Sequence, residues 1–148
     1  MAVHITTFAH GTTVDNEHDI SSGWKDVELS PLGVQQSIDL GPQTKDKKFD
    51  VVFTSDLQRA KKSAELAWSG MYEIKTDPRL RECNYGKLNG GPSAIVEPMQ
   101  EEECIEQPFP DGESYEDVRD RVADFLEFLK KSMILSVVGR RFLRITVP

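Results

Sequence analysis

His10, Arg59 and Glu82 are of three residue types that together suit one chemistry. His10 closes the run Ile5-Thr6-Thr7-Phe8-Ala9, where Ile5, Phe8 and the threonines favour a strand, and Gly11 follows it. Glycine lets the chain bend sharply, so His10 stands at the carboxyl end of a strand, where open α/β sheets hold ligands. Neutral histidine is a competent nucleophile near pH 7, its reference pKa being about 6.5. Arg59 carries the guanidinium fork that fits phosphate, and Glu82 a carboxyl. Moving a phosphoryl group needs a nucleophile, cations around the non-bridging oxygens and an acid for the leaving alkoxide. Each residue also has a plain alternative. His10 would be a polar strand cap, Arg59 a surface arginine, and Glu82 an ion-pair partner of Arg79 or Arg81.

The elements that must position these residues alternate between strand and helix. Ser30-Pro31 reads as an N-cap with proline at the first helical position, and Gly41 as the stop. Phe49 to Thr54 is a second strand, too continuously apolar to be half exposed. Ser55-Asp56 caps a helix in which Leu57, Ala60, Ala64 and Ala67 recur at helical spacing, and Met71 to Lys75 is a third strand. From Leu88 to Val118 the chain has no Lys or Arg and is rich in Glu, Gly and Pro. Residues 88–113 read as an acidic irregular insertion or lid, a solvated acidic loop being the plain alternative. Ser114 caps a helix with the apolar stripe Val118, Val122, Phe125, Leu126 and Leu129, and Met133 to Val138 reads as a buried strand. Residues 139–148 form a basic tail. The alternation predicts a single α/β domain over 1–148, a three-layer α/β/α sandwich with a mostly parallel sheet.

Composition limits the partners. A net charge of −7 argues against nucleic acid or an anionic membrane surface. No run approaches the roughly 18 apolar residues of a membrane span, and Met1 to Ala9 does not read as a signal peptide. Cys83 and Cys104 give neither a disulfide framework nor a metal-ligand spacing, so the expectation is a cytoplasmic protein with no metal and no cofactor.

Five segments, taken in order, resemble the histidine phosphatase superfamily, the phosphoglycerate mutases and related phosphatases. They are His10-Gly11-Thr12-Thr13 with Asn16, Gly23 to Gly33, Thr54-Ser55-Asp56-Leu57-Gln58-Arg59-Ala60, Arg79 to Gly86, and Pro110-Asp111-Gly112-Glu113-Ser114-Tyr115. The resemblance implies that His10 forms a phosphohistidine, that Arg59 grips the phosphate and that Glu82 protonates the leaving group. In a partly dry cleft, an anionic phosphate favours the protonated carboxyl that this last role needs. Asn16, Ser22, Gly23 and Tyr85 match positions that commonly contact substrate in the family. The implied function is phosphomonoester hydrolysis of a small phosphorylated substrate, with inorganic phosphate as the other small partner. A mutase fits less well, because 88–118 has no cation for a second anionic group.

Two departures qualify the resemblance. Ala9 stands where the family places an arginine, and no histidine follows His18 to supply a second catalytic one. The last ten residues look unlike the family, as if truncated or read in an altered frame near Ser132. The expectation is a domain incomplete at its carboxyl end and of reduced activity, with a catalytically impaired phosphate-ester-binding or interaction protein as the alternative. Apolar faces left bare on the second strand and on Ile134 to Val138 would promote self-association, such as a homodimer.

Overall fold

Val51, Val52 and Phe53 set the layers of the fold, because successive strand residues face opposite ways. The computed structural model describes residues 4–136 and 144–145. In chain order its strands and α-helices are β1 (His4–Ile5), β2 (Ile20–Ser21), α1 (Pro31–Gln43), β3 (Val52–Thr54), α2 (Gln58–Trp68), β4 (Ile74–Thr76), β5 (Gly91–Pro92), α3 (Ser93–Glu101), α4 (Tyr115–Ser136) and β6 (Arg144–Ile145). Val52 packs with Phe49, Ala64, Ala67 and Trp68 on the α2 side. Val51 and Phe53 pack with Leu80, Phe125 and Leu129 on the α4 side. Helices therefore cover both faces of β3, which is the expected α/β/α arrangement. No helix among the described residues is long and apolar enough to cross a membrane.

The strands are shorter than the sequence suggests and pair two by two. β3 and β4 are parallel, with Val52 opposite Ile74, and β1 and β6 are parallel, with His4 opposite Arg144. β2 and β5 are antiparallel. The expected bare face on the second strand is not found: Val51, Val52 and Phe53 are 3%, 1% and 7% exposed. Ile134 to Val138, the other face expected to be bare, falls outside the residues whose side chains are described.

Several boundaries differ for physical reasons. Ser30 caps α1 as expected, its Oγ accepting the Gly33 N–H at 3.2 Å. Gly41 does not end that helix. A Cβ there would lie 2.6 Å from the Ala67 carbonyl oxygen, so this glycine lets α1 approach α2 closely. Ser55-Asp56 does not cap α2, which starts at Gln58. Asp26, from a distant loop, accepts the Gln58 N–H at 2.7 Å instead, while Asp56 takes a fork from Arg81.

Residues 88–113 are not wholly irregular. They contain α3, whose Val96 is fully buried among Cys83, Tyr85, Cys104 and Phe109. Ser114 and Asp117 form a reciprocal cap on α4, Asp117 N–H to Ser114 Oγ at 3.1 Å and Ser114 N–H to Asp117 Oδ2 at 2.8 Å. The strand expected from Met133 does not form there, since α4 continues through Ser136. No glycine or proline stands between Ser114 and Gly139 to stop it. Within the basic tail the described part is β6, paired with β1.

Candidate active site

The bend after His10 is seated on two helices. A Cβ on Gly11 would lie 2.3 Å from the Gly33 carbonyl oxygen, so only glycine lets this turn rest against α1. The Gly11 N–H donates to Ser63 Oγ at 3.0 Å, and that hydroxyl donates to the Arg59 carbonyl at 2.8 Å. The turn is thereby tied to the helix that carries Arg59. His10 Nδ1 lies 2.7 Å from the Gly11 carbonyl oxygen. A carbonyl can only accept, so Nδ1 carries the proton and, in the neutral ring, Nε2 keeps a free lone pair. Burial pushes the His10 pKa below its ordinary 6.5, and the Arg59 charge acts in the same direction; the Gly11 carbonyl and Glu82 oppose them. Neutral imidazole is the favoured form.

Arg59 is 3% exposed, against its plain reading as a surface residue. Its Nη2 donates to the Gly23 carbonyl at 2.7 Å and its Nη1 to the Lys25 carbonyl at 3.2 Å. Gly23 has φ +53°, which suits glycine, and presents its carbonyl to the guanidinium. Burial works against the Arg59 charge, and Glu82, Asp26, Tyr85 and Asp15 support it. Ser22 donates to Asp15 Oδ2 at 3.0 Å, and Lys25 pairs with the same carboxylate.

Glu82 is not the ion-pair partner of its neighbours. Arg79 bonds Asp77 and Asp124, and Arg81 bonds Asp56. Oε1 of Glu82 instead accepts from the Cys83 N–H at 3.1 Å and the Tyr85 hydroxyl at 3.3 Å. The backbone carbonyl of Glu82 is held by Trp24 Nε1 at 2.8 Å and Arg121 Nη2 at 3.0 Å. Gln100 Nε2 donates to the Tyr85 oxygen at 2.8 Å, which directs the phenolic proton toward Glu82. Burial raises the Tyr85 pKa, so that proton stays in place.

All seven residues named from sequence line one hollow of about 200 Å³: His10, Asn16, Ser22, Gly23, Arg59, Glu82 and Tyr85. Residues from β2 and α3 complete its wall. His10, Arg59 and Glu82 also line a second hollow of about 220 Å³, which reaches Ser55, Arg81 and Val122. Ala9 lines neither; it borders another of about 290 Å³ with Thr12 and Gln36. Asn16 Oδ1 accepts from the Thr13 N–H and hydroxyl at 3.0 and 2.8 Å, which ties it to its own loop. Among the described residues no group of three or more His, Cys, Asp or Glu is placed to hold a metal ion.

Sequence reasoning misses Ser63, Asp26, Trp24, Arg121 and Gln100. Their work is to hold backbone groups or another side chain, and no short motif marks such partners. The arrangement can bind an anion at Arg59, offer it a nitrogen lone pair and place a carboxyl nearby.

The α/β frame that carries these three side chains also occurs in a solved phosphatase structure. The chain belongs to the histidine phosphatase superfamily (branch 1), whose family model matches residues 7–144. That match reaches into the tail expected to be unlike the family. The crystal structure of the alpha-ribazole phosphatase from Shigella flexneri shares the fold with a TM-score of 0.78, at 22% identity over 97% of this chain and 72% of that one. The Bos taurus fructose-2,6-bisphosphatase TIGAR is 35% identical over 92% of this chain and 53% of its own length. A 2,3-bisphosphoglycerate-dependent phosphoglycerate mutase of Streptococcus pyogenes is 41% identical over 87 residues, 55% of this chain and 38% of the mutase. The chain thus spans about half, or less, of these two curated relatives.

Proposed function

We propose that the chain hydrolyses small phosphate monoesters through a phosphohistidine at Nε2 of His10. The observation that carries this reading is the meeting of His10, Arg59 and Glu82, from three separate segments, in one cleft. Arg59 holds the non-bridging oxygens while the Nε2 lone pair attacks phosphorus and the P–O bond to the alcohol breaks. Protonated Glu82 gives its proton to the departing oxygen. As carboxylate it then takes a proton from water, whose oxygen attacks phosphorus as the P–N bond breaks, releasing inorganic phosphate. Asn16, Ser22, Gly23 and Tyr85 line the wall against which the ester rests.

Membership of the superfamily supports a phosphatase, and the ester named for the Bos taurus relative makes sugar phosphates the first class to assay. A mutase is less well supported, because Arg59 is the only cation among the described residues lining the hollow beneath α3. The same sparse charge, with Ala9 where the family has arginine, favours the second reading: a binder of phosphate esters with little turnover. Arg140 and Arg141 of the basic tail are the nearest candidates in the sequence to replace that charge, and both lie outside the described residues.

Trapping separates the two. A labelled acyl or aryl phosphate should leave an acid-labile, base-stable adduct that is absent in His10→Ala. Glu82→Gln should slow hydrolysis of alkyl phosphates by about 10²–10⁴-fold and of nitrophenyl phosphate less. Label on another residue, with His10→Ala unaffected, would overturn the hydrolase reading; phosphate binding with no adduct would favour the second.

A further inference from the structure

We infer that Glu97 makes this cleft selective for monophosphate esters of neutral, hydroxyl-bearing alcohols and against esters carrying a second phosphate. The inference rests on the proposed seat of one phosphate beside His10 and Arg59, but not on turnover. Ser93, Glu97 and Gln100 share one face of α3, spaced by four and three residues, and all three line the hollow that holds His10 and Arg59. Val96 and Met99 turn the other way into a small core of Cys83, Tyr85 and Phe109, which fixes how the helix is rotated. The polar face is thus aimed into the cleft by packing.

Glu97 is an exposed carboxylate with no ion pair or hydrogen bond among the described residues. Lys25 pairs with Asp15 and Lys87 with Asp111, and neither lysine lines this hollow. The whole stretch from Leu88 to Val118 lacks Lys and Arg. A second phosphate reaching α3 would meet this like charge with no counter-charge in the described lining besides Arg59, which the first phosphate occupies, and such repulsion is how binding sites reject a wrong ligand. A hydroxyl there would instead find an acceptor in Glu97 and the Ser21–Ser93 hydroxyl pair, whose oxygens are 2.9 Å apart. Gln100 is occupied in holding Tyr85.

The test compares dissociation constants for fructose 6-phosphate and fructose 2,6-bisphosphate in the full chain, Glu97→Gln and Glu97→Lys, with nitrophenyl phosphate hydrolysis measured alongside. The full chain should bind the monophosphate about tenfold or more tightly than the bisphosphate. Glu97→Gln should narrow that ratio and Glu97→Lys should reverse it. An unchanged ratio in the three proteins, or a bisphosphate preference in the full chain, overturns the inference even if nitrophenyl phosphate is hydrolysed. A ratio that moves as stated while no protein hydrolyses nitrophenyl phosphate upholds it and counts against the hydrolase reading. Glu97 is on an exposed helix face outside the core, so both variants retain the fold.

Discussion

Burial keeps His10 neutral, and the sign of that effect is measurable. Its pKa lies below 6.5 in the folded chain, so the unfolded chain binds the proton more tightly. The His10 contribution to stability is therefore unaffected above pH 6.5 and becomes a penalty as pH falls from there through the folded value. An NMR titration of the His10 ring should give a midpoint under 6.5, and Arg59→Gln should move it upward by removing a cation. A midpoint at or above 6.5 would contradict the burial argument. At the same scale, Tyr85→Phe removes the hydroxyl held between Gln100 and Glu82. It should lower kcat more than it raises KM for alkyl phosphates, with a smaller loss for nitrophenyl phosphate, as expected of a residue that positions the acid. Equal losses on both substrates would argue against that role. His10 draws notice by its place before a glycine turn, whereas Arg59, Glu82, Asn16, Ser22, Gly23 and Tyr85 are named through the family resemblance, and all seven line one hollow. Their supports were not legible, since Asp26 and Trp24 act through single hydrogen bonds to groups far along the chain.

Elements were legible where one face is apolar and the ends are marked. α1 begins at its serine cap and α4 buries Phe125 and Leu129 of its stripe, although Leu126 stays exposed and both helices run past their expected ends. α3 was hidden because prolines, glycines and glutamates suggested a loop, whereas tertiary packing of Val96 and Met99 holds the helix. The start of α2 was misplaced because its cap comes from another loop. That cap has a consequence for phosphate binding. Arg59 is the second residue of α2, and Asp26 fixes the backbone N–H immediately before it. Asp26→Ala should cost about 1 kcal/mol of stability, the usual loss for an N-cap, and also weaken vanadate binding. Asp26→Asn keeps an acceptor and should restore most of both. Lost stability with unchanged vanadate affinity would separate the cap from the site.

Across the whole molecule the cleft draws its groups from two packing units. His10 and Arg59 are seated on α1 and α2, tied together through Ser63. Glu82 belongs to the other side, where Arg121 on α4 bonds the carbonyls of Arg79 and Glu82 at 2.6 and 3.0 Å. Leu80, between those carbonyls in sequence, packs with Phe53, Phe125 and Leu129. Phe125 also meets Phe53 edge to face, with ring centroids 5.3 Å apart, so it anchors α4 against β3. Loosening this contact should move the carboxyl without moving the anion site. Phe125→Leu removes the ring contact and leaves an imperfectly filled core, at a cost of about 1–2 kcal/mol. Its vanadate affinity should stay close to that of the parent chain, since Arg59 is held by the Gly23 and Lys25 carbonyls and Phe125 lines neither hollow that contains it. Hydrolysis of alkyl phosphates should fall severalfold, with nitrophenyl phosphate less affected because its leaving group needs little protonation. Parallel loss of vanadate affinity and turnover would mean that the two units respond as one.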